Sequence, residues 1–367
     1  MARLDQICKL NMGQSPDSTS YNENGNGMPF FQGNADFGML HPTVRVWCSD
    51  PTKVANPGDI LISVRAPIGA LNVADVKCCI GRGLAALTVD ESKCTKEYLW
   101  HAIRSKVSEL NSKGTGSTFK AISKNTLAET EIPLPTLDDQ RHISASMDKC
   151  DHLISLRREQ LAKLDELIKA RFVELFGDKG YPQDTLLNLC NIIDYRGKTP
   201  EKVESGLPFI TAKNVKMHQM NLEPREYISK ETYDKVMVRG FPKEGDVVFT
   251  TEAPLGNVCR IPHFDTEFYI GQRIVTLQTE KLEPIYLEYA LSSDDFKTKY
   301  MGKSSGSTVM GIRVRLLEQL TIPVPPKELQ EQFSAFVKQT DKSKLAIQKS
   351  LKELETLKKA LMQKYFG

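Results

Sequence analysis

A long internal repeat constrains this chain more than any other feature of its sequence. Residues 132–177 begin Ile-Pro-Leu-Pro, continue through Gln140 into a charged, leucine-bearing segment and end Leu-Phe-Gly. Residues 322–367 begin Ile-Pro-Val-Pro, continue through Gln330 into a second such segment and end Tyr-Phe-Gly. The matched positions are offset by 190 residues throughout. A register that holds over such a distance predicts two copies of one structural unit.

The blocks that precede the two copies also match each other. Gly58-Asp59 and Ala66-Pro67-Ile68-Gly69 return 187 residues later as Gly245-Asp246 and Ala253-Pro254-Leu255-Gly256. Other pairs are offset by 179 to 190 residues, as expected for one scaffold with loops of different length. Short apolar runs with a helical stretch at 95–110 predict an α+β class, with two similar mixed α/β domains. We place the boundaries at 1–131, 132–178, 179–321 and 322–367.

The repeated segments are predicted to be long helices, from about residue 138 to 175 and from about 327 to 365. Each has one apolar seam, formed by Met147, Ile154, Leu161, Leu164, Ile168 and Leu175 in the first copy and by Ile347, Leu351, Leu354 and Leu361 in the second. Leu167 and Phe172 widen the first stripe, and Leu357 and Tyr365 continue the second. Two arrangements fit. Each helix could cover its own domain, or the helices could pair antiparallel as a coiled coil and relate the domains by a pseudo-two-fold internal repeat.

Composition excludes several classes of protein. The net charge is only +3; residues 1–178 carry 21 Lys and Arg against 22 Asp and Glu, and the remainder carries 28 against 24. A DNA-binding role would therefore depend on local patches within folded domains. No apolar run approaches the length of a membrane span, and the first residues lack the apolar core of a secretion signal. The eight cysteines form no metal-type pairs, so a reducing, cytoplasmic location is expected.

Catalytic patterns are absent from the sequence. No Asn-Pro-Pro-Tyr-like loop of an amino-methyltransferase occurs, and the loop at 114–118 lacks the Gly-Lys-Ser/Thr ending of a nucleotide-binding loop. The six histidines form no metal-ligand pair. We therefore expect neither an enzyme nor a metal site in this chain. Two similar domains at a fixed separation instead suit an extended, repeating target such as duplex DNA, whose successive turns are about 34 Å apart.

The sequence resembles the specificity (S) subunits of type I restriction-modification systems. The resemblance is carried by the Gly-Ser-Thr loops near 114–118 and 306–308, the Ile-Pro-x-Pro motifs with Gln140 and Gln330, the helices ending Phe-Gly, and the Ala-Pro-x-Gly segments. These motifs occur twice in the same order and cover nearly the whole chain.

This resemblance implies a non-catalytic DNA reader with two target recognition domains. Each domain would read one half of a bipartite site on double-stranded DNA. The helices would space the domains and dock two methyltransferase (M) subunits, with restriction (R) subunits as further partners. No cofactor is expected in this chain; S-adenosylmethionine would be held by the M subunits, and ATP and Mg by the R subunits. No membrane partner is expected.

Comparison of the halves suggests which residues contact DNA. Arg65 and Glu252 stand at one matched position, where they would suit guanine and the amino group of cytosine respectively. Other candidate base readers are Gln32, Asn34, Arg82, Lys213, Asn214, Gln272 and Arg273. The hydroxyl-rich loops are candidate phosphate clamps, through Lys113, Thr115, Ser117 and Lys120 in the first half and Lys303, Ser305 and Ser307 in the second.

Each of these residues also has a structural interpretation, as a solvated strand end, a turn or a helix-leading loop. Two other functions stay open at this point. The chain could be a helical interaction scaffold whose domains bind protein. It could also be the reader subunit of another multi-subunit DNA modification system.

Overall fold

The computed structural model describes residues 1–116, 120–195, 197, 200–306 and 310–367. The chain divides into two compact units. Unit 1 comprises residues 1–159 and 348–367, and unit 2 comprises residues 160–347. The predicted boundaries follow the secondary structure, whereas these units divide each long helix between them.

Unit 1 contains eleven strands, four short helices and parts of two long ones in its described residues. The strands are β1 (Ala2–Arg3), β2 (Cys8–Met12), β3 (Tyr21–Asn22), β4 (Met28–Phe31), β5 (Val46–Cys48), β6 (Val54–Ala55), β7 (Ile60–Ser63), β8 (Leu71–Val73), β9 (Cys78–Ile80), β10 (Leu84–Val89) and β11 (Glu131–Ile132). The short helices are α1 (Leu4–Ile7), α2 (Lys96–Ser105), α3 (Val107–Ser112) and α4 (Lys124–Ala128), and the first long helix is α5 (Leu137–Phe176).

Two sheets form the body of unit 1. One has the strand order β2-β10-β7-β8 and the other β3-β5-β4-β9-β6, while β1 pairs with β11. Among the described strands of the second sheet, only β4 and β9 pair in parallel. Strand β7 is buried on both faces, because Ile60 and Ile62 pack into the core that contains α2 and Leu61 packs into the core beneath β9. The stretch predicted as one helix over 95–110 is instead two helices, which meet at Lys106, where the amide donates to the Ile103 carbonyl three residues back.

Unit 2 repeats this architecture in its described residues. The strands are β12 (Gln183–Thr185), β13 (Asn191–Asp194), β14 (Leu207–Ile210), β15 (Val215–Lys216), β16 (Gln219–Met220), β17 (Tyr227–Ile228), β18 (Val247–Thr250), β19 (Val258–Arg260), β20 (Tyr269–Ile270), β21 (Ile274–Gln278) and β22 (Thr321–Pro323). The helices are α6 (Leu186–Leu189), α7 (Lys230–Val236), α8 (Pro284–Ser292), α9 (Asp294–Met301), α10 (Val314–Leu317) and α11 (Lys327–Phe366).

The four-stranded sheet of unit 2 matches that of unit 1, whereas the second sheet has three described strands, β17-β14-β20, in place of five. The order β13-β21-β18-β19 corresponds to β2-β10-β7-β8, and the parallel pair β14-β20 corresponds to β4-β9. Strands β12 and β22 pair as β1 and β11 do. The predicted α+β class and the internal repeat are therefore confirmed.

The long helices pair antiparallel within each unit. In unit 1, Asp151 of α5 forms an ion pair with Lys358 of α11, and Arg158 of α5 forms one with Glu355 of α11. Residue numbers therefore rise along one helix as they fall along the other. In unit 2, Asp165 pairs with Lys344 at 2.6 Å. Phe172 lies against Phe333, with ring centroids 5.5 Å apart. Neither helix covers its own domain alone, because both contribute to both units. The antiparallel alternative is thus confirmed in each unit.

The predicted seam residues lie on the packed side of these helices. Met147, Ile154 and Ile168 are buried, and the remaining seam positions are half-buried: Leu161, Leu164, Leu175, Ile347, Leu351, Leu354 and Leu361. Leu167 and Leu357 do not belong to the seam, since both are 49% exposed. The apolar stripe is therefore narrower than the sequence pattern indicated.

Buried glutamines fix the start of each long helix. The Nε2 of Gln140 donates to the carbonyls of Lys93 and Pro135, and its Oε1 accepts from the Thr95 amide at 2.8 Å. Gln330 has the same role with two bonds: its Oε1 accepts from the Glu283 amide, and its Nε2 donates to the Pro325 carbonyl. These bonds satisfy buried backbone groups where the Ile-Pro-x-Pro strand turns into the helix.

Buried tyrosines hold the same motif from the other side. The hydroxyl of Tyr98 donates to the Pro133 carbonyl at 2.9 Å, and that of Tyr286 donates to the Pro323 carbonyl at 2.7 Å. The repeated Ile-Pro-x-Pro and Gln signature therefore encodes the attachment of a long helix to its domain.

Candidate nucleic-acid interface

In unit 1, three segments converge on Arg65. The amide of Val64 donates to the Gly83 carbonyl, and the amide of Ile122 donates to the Val64 carbonyl, each at 2.9 Å. Arg65 and Thr115 both form β-bridges with Ala121. The strand end after β7, the turn before β10 and the hydroxyl-rich loop thus meet at one place.

Gln32 and Arg82 lie together beside the end of β4. The Oγ of Ser15 accepts from Gln32 Nε2 at 2.9 Å and from the Arg82 amide at 3.3 Å. Gly81 leaves room for Gln32 here, because a Cβ at this position would lie 2.8 Å from Gln32 Oε1 and 3.0 Å from Gln32 Cα. Asp36 accepts from the Gln32 amide at 2.8 Å, which fixes the following turn with half-buried Asn34. Ser15 was not a candidate in the sequence, although the matched Gly-x-x-Pro loops that contain it could have indicated it.

The two arginines of this site are exposed. Neither the Arg65 nor the Arg82 guanidinium forms a hydrogen bond or ion pair with another described residue. Their donors are thus available to an acceptor from outside the protein, such as a guanine edge or a phosphate.

Unit 2 builds the same backbone frame around Glu252. The amide of Thr251 donates to the Arg273 carbonyl, and the amide of Ile312 donates to the Thr251 carbonyl, each at 2.9 Å. Glu252 and Ser305 both form β-bridges with Gly311. These contacts correspond one by one to those around Arg65, so the predicted match between Arg65 and Glu252 holds in three dimensions.

A concavity of about 190 Å³ lies at this frame in unit 2. It is lined by Thr251, Glu252, Gln272, Ser305, Gly311, Ile312 and Arg313. The guanidinium Nε of Arg273 donates to Glu252 Oε1 at 2.9 Å, with the two side chains 52% and 45% exposed. Four predicted readers therefore come together here: Glu252, Gln272, Arg273 and Ser305. Arg313 was missed, although the aligned halves place it opposite Ser123 and this contrast could have revealed it.

Asn214 does not face this site or solvent. Its side chain is 1% exposed and its amide is fully used, because Oδ1 accepts from the amide and hydroxyl of Thr211 while Nδ2 donates to the carbonyls of Asn221 and Pro224. Reading a base would break this network in a buried place. We therefore withdraw Asn214 from the candidate base readers. The adjacent Lys213 is exposed.

The hydroxyl-rich loops are described only in part. Thr115, Lys120, Lys303 and Ser305 are exposed, whereas Ser117 and Ser307 lie outside the described residues. Lys113 is exposed too, but it pairs with Glu109 at 2.6 Å, and its ammonium holds the pKa of that carboxyl below the ordinary value. Unit 1 presents Lys120 where unit 2 presents Met310.

A larger cavity of about 600 Å³ lies elsewhere in unit 2, and no predicted reader lines it. Its wall includes Tyr289, whose ring stacks on His218 with centroids 4.3 Å apart. Nearby, the buried Glu288 carboxylate accepts from Arg260 Nε at 2.6 Å and lies 2.8 Å from His218 Nδ1. These polar groups satisfy one another and present no free acid or base.

The described residues hold no cluster of His, Cys, Asp and Glu that could bind a metal ion. All eight cysteines are buried and unpaired, and burial raises the pKa of Cys8 and Cys94 to about 12. Among the described helices, none combines the length and the apolar character needed to cross a membrane.

The family model for the type I restriction modification DNA specificity domain matches the chain twice, over residues 1–166 and 185–358. The chain belongs to this family of specificity subunits. The family is one of non-catalytic DNA recognition, in accord with a site that offers hydrogen-bonding side chains and solvent-facing arginines.

Relatives of this specificity subunit share its sequence to different extents. It is 40% identical over 165 residues to the type I restriction enzyme MjaX specificity subunit of Methanocaldococcus jannaschii, a match that spans 45% of this chain and only 39% of that relative. It is 21% identical to the type I restriction enzyme EcoBI specificity subunit of Escherichia coli, over 99% of this chain and 84% of the relative.

Solved structures share the fold. The S subunit of a type I restriction-modification system from M. genitalium superposes with a TM-score of 0.62 at 16% identity, covering 100% of this chain and 95% of that one. A chain from a study of complex assembly and conformational transition of the type I restriction-modification system gives a TM-score of 0.62 at 20% identity, covering 99% and 96%.

Proposed function

We propose that this specificity subunit reads a bipartite DNA site, with one half-site read by each unit. One observation carries the proposal: the two units share a backbone frame at their solvent-facing loops but present opposite charges on it, Arg65 in unit 1 and Glu252 in unit 2. A guanidinium donates to guanine O6 and N7, whereas a carboxylate accepts from an exocyclic amine. One scaffold can thus select two different half-sites.

The long helices set the gap between the half-sites in this proposal. Each contains 40 residues, which corresponds to about 60 Å at 1.5 Å per residue. Both are continuous, and ion pairs join them in each unit. Paired helices of this kind resist bending, which would otherwise make the gap between the half-sites variable.

The same helices dock two methyltransferase (M) subunits in this proposal, with restriction (R) subunits as further partners. Apolar side chains that face solvent on the helices support a docking role: Leu156, Leu167, Val173, Leu345 and Leu357. The M subunits would hold S-adenosylmethionine and the R subunits ATP and Mg, while this chain supplies recognition of double-stranded DNA.

A domain exchange tests the proposal. Residues 1–131 are replaced by the same block of a relative, and methylated adenines are mapped across the genome of cells that express the chimera with its methyltransferase partner. We expect one half of the methylated sequence to change. The other half and the gap should persist, because unit 2 retains its readers and the helices are unchanged.

Two results would contradict the proposal. A change in both halves, or in neither, would refute one unit per half-site. A changed gap with both helices intact would refute the spacer role. The matched control is the exchange of residues 179–321, which should alter only the other half.

A further inference from the structure

The shared frame carries a set of three positions that differ together between the units. The β-bridge of Arg65 with Ala121 corresponds to that of Glu252 with Gly311. The hydrogen bond from Val64 to Gly83 corresponds to that from Thr251 to Arg273. The three positions therefore hold Arg65, Ala121 and Gly83 in unit 1 and Glu252, Gly311 and Arg273 in unit 2.

In unit 2 these residues arrange a carboxylate as an acceptor. Arg273 donates from Nε to Oε1 of Glu252, which restrains the orientation of the carboxylate. Gly311 leaves space on the other side, since a Cβ there would lie 3.3 Å from Glu252 Cβ and 3.6 Å from Oε2. The second oxygen can thus accept from a base amino group, such as N4 of cytosine.

In unit 1 the equivalent place holds Arg65, and no described residue pairs a carboxylate with it. Any side chain at Gly83 would put its Cβ 2.5 Å from the Gln32 carbonyl oxygen, so an arginine like Arg273 does not fit there. Ala121 occupies the place of Gly311. The Arg65 guanidinium is therefore left to donate to an acceptor edge, such as O6 and N7 of guanine.

Folding stability does not explain the pairing of Glu252 with Arg273. Both side chains are about half exposed, and an ion pair so exposed to water contributes little to stability. Its effect is geometric, because it orients one carboxylate at the mouth of the concavity that Gln272, Ser305 and Arg313 also line.

We propose that Glu252, Arg273 and Gly311 form one specificity-determining set in which Glu252 accepts from a base amino group, Arg273 positions that carboxylate, and Gly311 leaves room for the base. Arg65, Gly83 and Ala121 form the corresponding guanine-reading set. This inference rests on the proposed function, because it takes unit 2 to read one half-site.

The test converts the unit 2 set into that of unit 1. The variant E252R/R273G/G311A is expressed with the methyltransferase partner, and methylated adenines are mapped. We expect one base in the unit 2 half-site to change to guanine, with a change in preference of at least about tenfold, while the unit 1 half-site stays the same. The single variant E252R is the matched control. There the new arginine faces Arg273, so methylation should fall at least about tenfold without a gain of guanine.

Thermal unfolding shows whether the triple variant folds. If it does not fold, a second variant, E252Q, still tests the inference. In E252Q the side chain keeps its size, but its amide both donates and accepts, so the preference at that one base should relax. The inference is overturned if the folded triple variant keeps the original base or accepts all bases equally. It is also overturned if E252Q leaves the preference intact. If the domain exchange succeeds but either of these results is found, the proposed function is retained and only this inference is rejected.

Discussion

Two pairs of matched polar residues behave differently in the two units. Gln140 and Gln330 are identical, buried and bonded to backbone groups at the start of a long helix. Arg65 and Glu252 are opposite in charge and face solvent on the same backbone frame. These two pairs show how the copies of the repeat are used. In these two pairs, the polar group consumed inside the domain is the same in both copies, whereas the polar group directed outward differs.

The largest effect is expected from the buried glutamines. Q140A leaves the Thr95 amide and the carbonyls of Lys93 and Pro135 without partners, and should lower the free energy of unfolding by about 3 kcal/mol. Q330A removes two bonds and should cost about 2 kcal/mol. Urea unfolding gives the totals, and hydrogen exchange assigns each loss to a unit. Equal loss of protection in both units for each variant would show that the two attachments are not separate.

A smaller effect is expected where α2, α5 and α11 meet in unit 1. Burial acts to raise the pKa of Asp151, but the Lys358 hydrogen bond and the charges of Arg104 and Lys358 outweigh it and hold that pKa below its usual value. D151N should therefore lower the free energy of unfolding by about 1 to 2 kcal/mol at pH 7. In the matched control D341N, the partners Arg260 and Lys344 lie at 3.6 and 3.8 Å, and about 0.5 kcal/mol is expected.

The pH dependence of D151N follows from the direction of that shift. A carboxyl with a lowered folded-state pKa stabilises the protein above its unfolded pKa of about 3.9 and loses this contribution as the pH falls through the folded value. The gap in thermal midpoint between wild type and D151N should thus be widest near pH 7 and narrow below about pH 4. A gap independent of pH would mean that Asp151 acts through packing and not through its charge.

The smallest effect is expected at Lys120 and its counterpart Met310. K120M should remove one phosphate contact, so the slope of log affinity against log salt should become shallower by about 0.9. M310K should make it steeper by a similar amount. Binding of the mapped duplex to the complex with its methyltransferase partner, titrated with KCl, checks both variants. An unchanged slope for K120M would place Lys120 away from the DNA backbone.

Periodicity and the repeat were enough to predict the two long helices, the class of fold and the correspondence of Arg65 with Glu252. Those features depend on local spacing, which a sequence displays directly. The burial of Asn214 depends on a loop that returns through Asn221 and Pro224, and the pairing of Glu252 with Arg273 joins two separate turns. Neither contact produces a periodic pattern in the sequence from which it could be predicted. Leu167 and Leu357 were misplaced because a stripe assigned by spacing alone does not show where the packed seam ends.

The division of the chain between the units has a consequence for protein synthesis. Unit 2 is one continuous segment, whereas unit 1 includes residues 348–367, and Phe366 packs on Tyr98 in its core. A ribosome adding about 5 to 20 residues per second needs roughly 10 to 40 seconds to translate the intervening residues 160–347. During that interval Met147 and Ile154 have no partner helix. Unit 2 is therefore expected to mature first on the ribosome, while residues 1–159 wait for residues 348–367.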